Sequence, residues 1–185
     1  MNVNDISHGS TQTGAGLRNY YLVRGIVAAG WVAAAFTIGE SAPFAAGVLL
    51  VAYPAWDALA NLFDAAQSGG LARNRTQAIN AVISGIAALA ILATLADTKA
   101  VVATFGAWAI VAGLLQLATG LRRWKAFGAQ WSMVLSGAQS ALAGGFFIRQ
   151  ALGAEVHGIT DVAPYAAFGA FYFLVSALWL TIRRR

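Results

Sequence analysis

Six stretches of roughly twenty apolar residues fill most of this 185-residue chain, and they leave it few ways to fold. They run approximately Tyr20–Gly39, Ala42–Phe63, Ile79–Ala96, Val101–Leu121, Trp131–Ile148 and Val162–Ile182. Each is close to the ~20 residues that a helix needs to cross a bilayer. Membrane strands would instead alternate apolar and polar positions over about ten residues, and that pattern is absent. Only 10% of the chain is charged, against ~25% in ordinary soluble domains, so a water-facing surface cannot be built from it. The expectation is an all-α integral membrane protein with six transmembrane helices.

An internal repeat organises these spans. The phrase Tyr53-Pro54-Ala55-Trp56 returns as Phe105-Gly106-Ala107-Trp108 and as Phe168-Gly169-Ala170-Phe171. A Gly near the start of the preceding span, Gly25, Gly85 or Gly137, accompanies each copy. The unit is a helical hairpin, with copies at about 17–72, 73–125 and 126–185. Self-similarity at a fixed period marks a repeat architecture, and three copies predict a single bundle with approximate threefold internal symmetry. The polar segment 1–16 has no basic start and no short apolar core of a cleavable leader; it is expected to be a disordered tail.

Charge gives the bundle a direction. If spans alternate, one side receives Arg18, Arg24, Arg73, Arg75, Arg122, Arg123, Lys125 and Arg183 to Arg185, and the other only Lys99 and Arg149. Lys and Arg in short loops set topology, so both termini are expected in the cytoplasm. The basicity is then a sign of anionic lipid at the cytoplasmic face rather than of nucleic acid, for which no recognition motif is present.

Small residues let helices approach closely in lipid. Gly106, Gly113 and Gly120 on the fourth span, and Gly137, Ala141 and Gly145 on the fifth, are expected contact stripes. Stripes facing lipid would favour a homo-oligomer. Trp31, Trp56 and Trp108 lie deep in their spans and are expected to pack. Pro54 removes a backbone donor and predicts a bend in the second span.

Ionisable residues inside a membrane mark candidate sites. Asp57, Asn61 and Asp64 follow i, i+4, i+7 spacing and share one face, with Asp57 about 10 Å deeper than Asp64. Arg24, in the same half of the first span, is the expected partner of Asp57. The pair serves either as a buried clasp between helices or in handling a proton or solute. Arg73, Gln77, Asn80 and Ser84 share a face of the third span, as Ser132, Ser136 and Gln139 do on the fifth. Such residues either line a cytoplasm-facing cavity or join helices by hydrogen bonds. His157, between Glu155 and Asp161 in an outer loop, is a possible pH sensor or a solvated loop residue.

With no Cys the chain has no thiolate chemistry. It has no His-Glu-x-x-His motif, nucleophile elbow or phosphate-cradling loop with Lys either. No metal, cofactor or catalytic residue is expected, and the chain is not expected to be an enzyme.

Six short spans in three hairpins, the early Gly of each odd span and the Arg-rich cytoplasmic end resemble the HdeD-type acid-resistance membrane proteins, a bacterial family built from a short repeat. The resemblance runs from about Arg18 to Arg185. It implies a bacterial inner-membrane protein with a part in acid or envelope stress tolerance, exercised through a structural or interaction role, and it brings no catalytic residues with it. The acid in Tyr53-Pro54-Ala55-Trp56-Asp57 departs from that family pattern. A small transporter or channel built on Asp57 and Arg24 is the alternative.

Overall fold

A computed structural model describes residues 3–67, 69–122, 124 and 130–182. It contains six α-helices: α1 (Val3–Ala34), α2 (Pro43–Gln67), α3 (Arg75–Thr94), α4 (Thr98–Arg122), α5 (Gln130–Ala151) and α6 (Ile159–Ile182). A π-helical turn, Ala35–Gly39, ends the first span. No strand occurs among the described residues. The basic residues Arg123, Lys125 and Arg183 to Arg185 lie outside the described residues.

Five helical segments are long and apolar enough to cross a membrane: Gly16–Gly39, Pro43–Gln67, Arg75–Thr94, Thr98–Arg122 and Ile159–Ile182. The chain is a membrane-embedded helical protein. Helix α5 is not among the five, because it carries Gln130, Ser132, Ser136 and Ser140 along its buried side, where they face other helices. Helix α1 begins at Val3, upstream of the first apolar span, and no proline interrupts it before that span.

The closest helix pairs are α4 with α5, α1 with α6, and α2 with α3, while α1 touches α2 at few points. Neighbouring repeats therefore pack more tightly than the two helices within the first or third repeat. Glycine spacing explains the tightest pair. A Cβ on Gly113 would lie 2.6 Å from the Gly137 carbonyl oxygen, and one on Gly144 would lie 2.4 Å from that of Gly106. Nothing larger than hydrogen fits there. The contact stripe on α5 is thus Gly137 and Gly144, seven residues apart like Gly106 and Gly113, and not the expected Gly145, which faces open space. Gly25 packs against Leu174 on α6, whereas Gly85, its counterpart in the second repeat, has no neighbour within 4 Å.

One half of the bundle is a dry core. Trp31, Leu50, Ile91, Val102, Phe105, Trp108, Phe147 and Val162 are buried together. Tyr53, Phe105, Trp108, Phe147 and Tyr165 form a chain of ring contacts with centroids 5.0 to 6.4 Å apart, the offset and edge-on range that aromatic pairs favour. Trp31 joins them at 4.9 Å from Tyr53 and donates its indole N–H to the Leu49 carbonyl at 2.7 Å. The third aromatic phrase does not enter this core: Phe168 and Phe171 are 53% and 58% exposed. Tyr165, three residues earlier on α6, takes the place that Phe105 and Tyr53 hold in the other copies. Helix α2 continues through Pro54, which is fully buried.

Candidate functional site

In the other half of the bundle the helices turn polar residues inward around a single acid. Helix geometry brings them together: odd-numbered helices start at this end and even-numbered ones finish there. The part of α1 around Tyr20 and Arg24 and the early turns of α3 and α5 therefore meet the later turns of α2, α4 and α6. Asp57 is buried on α2. Its Oδ1 accepts from the Arg24 guanidinium of α1 in an ion pair. Its Oδ2 accepts from Asn61 Nδ2 at 3.0 Å, Asn80 Nδ2 at 3.1 Å and Ser84 Oγ at 2.9 Å. Trp108 Nε1 on α4 donates to the same Ser84 Oγ at 2.9 Å. Four helices are joined through one carboxylate.

An ion pair survives burial only when hydrogen bonds also satisfy its remaining lone pairs, and that condition is met here. Arg24 is held from both sides. Its Nη1 donates to the Tyr20 hydroxyl at 3.0 Å, and its guanidinium carbon stands 4.4 Å from the Phe173 ring centre, within the ~6 Å over which a cation is attracted to an aromatic face. Asn61 Nδ2 also donates to the Asp57 carbonyl, at 2.8 Å. Asp64, two turns from Asp57, accepts from Gln77 Nε2 at 3.2 Å.

The expected cluster of Arg24, Asp57, Asn61 and Asn80 is a contiguous network, and Asp64 is bonded to Gln77, which precedes Asn80 by three residues on α3. Ser84, singled out by its spacing, is a central member. Trp108 packs as expected, but its N–H also closes the network. The signal that points to it is its position in the repeated phrase, one place before the residue matching Asp57.

All of these except Ser84 border a cavity of about 70 Å³, to which Gln116, Ser136, Gln139, Ser140 and Tyr172 also contribute. A water needs roughly 10–15 Å³ of such space, so several fit. Tyr53, Trp108 and Tyr165 belong both to the cavity wall and to the aromatic core, and the cavity ends at that core. On the opposite side of Arg24 and Tyr20, an apolar groove of about 580 Å³ runs between α1 and α2.

At the far end of the bundle, His157 is largely exposed, with Nδ1 3.4 Å from Asp161 Oδ1. Asp161 Oδ2 accepts from the backbone N–H groups of His157 and Gly158 at 2.6 and 3.2 Å. This is the reciprocal half of a capping box at the start of α6. Asp97 likewise accepts from the N–H groups of Lys99 and Ala100 at 2.9 and 3.1 Å. Among the described residues, no group of three or more His, Cys, Asp or Glu could hold a metal ion.

Residues 76–149 match the family model described as a short repeat of unknown function, DUF308. The match spans α3, α4 and most of α5. No curated protein and no solved structure matches the chain.

Proposed function

We propose, from the premise that this chain belongs to the HdeD-like membrane proteins, whose short repeat it carries over residues 76–149, that it contributes to acid or envelope stress tolerance. It does so without catalysis, as a stable helical body in the bacterial inner membrane. The observation that carries this reading is the state of Asp57: both its oxygens are bonded, and its partners tie α1, α2 and α3 directly and α4 through Trp108. A carboxylate so occupied serves as a clasp.

The finer architecture belongs to the same reading. Six helices cross the membrane, with α5 included because its polar residues are turned into the bundle. Approximate threefold symmetry is supported by the closest pairs, α2 with α3, α4 with α5 and α6 with α1, all of which join neighbouring repeats. The bias of Lys and Arg to one end supports cytoplasmic termini and anionic lipid at that face. Exposed Leu and Phe side chains on several helices suit contact with lipid or with a second copy.

The test is survival of the source bacterium in acid after removal of the gene, with wild-type or Asp57→Asn protein returned. The proposal expects sensitivity that wild type rescues and Asp57→Asn rescues poorly, in step with its lower abundance in the membrane. Unchanged survival without the gene would overturn it. A second reading, a small transporter or channel, is favoured by the polar cavity beside the clasp. Proton or solute flux in liposomes that exceeds empty vesicles and falls with Asp57→Asn would decide for it.

A further inference from the structure

Beyond holding helices together, the clasp leaves hydrogen-bonding capacity unused on the cavity side. Asn80 lines the cavity and is buried, and its Oδ1 has no hydrogen-bond partner among the described residues. Its amide is oriented by the bond from Nδ2 to Asp57, so the oxygen is left needing a donor. Buried polar atoms of folded proteins are rarely left so. Arg24 uses one N–H on Tyr20 and another on Asp57, while a guanidinium carries five. Gln116 and Gln139 add amides on the opposite wall.

We infer that this cavity binds a small uncharged solute carrying several hydroxyl or amide groups, of the size and chemistry of glycerol or urea. Three observations set that class. The volume, about 70 Å³, holds about five waters at roughly 10–15 Å³ each, and so one solute of about that many heavy atoms. The lining offers both kinds of partner, an acceptor at Asn80 Oδ1 and spare donors on Arg24. The charges at the centre of the network are already committed: Arg24 is paired with Asp57, and Asp64 accepts from Gln77. Binding needs no break in the Arg24 and Asp57 pair, so it goes beyond the clasp and does not depend on it being a transport route.

The chain has no cysteine, so Ser136→Cys places a single thiol in the cavity wall. Its labelling by a small water-soluble thiol reagent is measured in nanodiscs with glycerol, urea, sucrose or sodium chloride at matched osmolarity. Glycerol or urea is expected to slow labelling saturably, about threefold at twice its dissociation constant by mass action; sucrose, too large, and sodium chloride are expected to leave it unchanged. Adding Asn80→Ala is expected to abolish protection while labelling persists, and Gln139→Ala to weaken it should the first variant fail to fold. Equal slowing by all four additives, no saturation, or protection by sodium chloride alone would overturn the inference. A thiol that stays unreactive in the Ser136→Cys protein would overturn it too, because no solute then reaches the site.

Discussion

Trp108 Nε1 donates to Ser84 Oγ across 2.9 Å, and Ser84 donates onward to Asp57. The indole of the repeated aromatic phrase is thereby both a member of the dry core and the last link of the polar network. Trp108→Phe keeps most of the ring and removes only the donor. The expected loss is about 1 kcal/mol, the net worth of one hydrogen bond, seen as a small fall in unfolding free energy in mild detergent.

Breaking the ion pair itself costs more. Arg24→Leu strips Asp57 of its cationic partner in the network, and removing one member of a buried pair costs about 3–5 kcal/mol. Asp57→Asn is expected to destabilise less than Arg24→Leu, since it leaves a neutral amide among the donors. The double variant is expected to recover part of the loss. Equilibrium unfolding of the four proteins as a double-mutant cycle checks the coupling; simple additivity would show that the two side chains do not act as a pair.

The glycines offer a comparison with internal controls. A Cβ on Gly137 would stand 2.6 Å from the Leu117 backbone nitrogen, whereas one on Gly85 meets nothing within 4 Å. Gly137→Ala is expected to cost about 1–3 kcal/mol as α4 and α5 are forced apart. Gly85→Ala should stay within about 1 kcal/mol of wild type, the scale of helix propensity. The pair Gly144→Ala and Gly145→Ala should divide in the same way, read as melting temperature or yield of folded protein.

His157 is exposed and faces Asp161 at 3.4 Å, and such surface pairs are worth ~0–1 kcal/mol. His157→Gln is therefore expected to shift stability by less than about 1 kcal/mol from pH 5 to 8. Asp161→Asn, which weakens the cap of α6, should cost about as much at every pH in that window. A strong pH-dependent effect of His157→Gln alone would favour the sensor reading instead.

Much of the site was legible from the chain because charge is rare in it. Arg24 and Asp57 stand out inside apolar runs, and helical spacing put Asn61, Asn80 and Ser84 on the faces where they are found. Less visible was anything that depends on rotation between helices. Gly145 and Gly144 are one residue apart and both fit a small-residue pattern. Only the seven-residue spacing shared with α4 selects Gly144, a register that belongs to the pair and not to either sequence alone. The third aromatic phrase shows the same limit. Its letters match, yet α6 presents Tyr165 to the core and turns Phe168 and Phe171 outward.

The uneven packing of the helices also shows what the ion pair spans. Helices α2 to α5 are linked in an unbroken series of close contacts, and α1 is joined closely to α6, but the seams between α1 and α2 and between α5 and α6 are thin. The α1 and α6 pair meets the other four helices mainly through side chains, Trp31 against Tyr53 and Tyr165 against Phe105, Trp108 and Phe147. Arg24 belongs to that pair and Asp57 to the other four helices, so their ion pair spans the seam where backbone contact between α1 and α2 is sparse, and one side-chain contact does there what glycines do between α4 and α5.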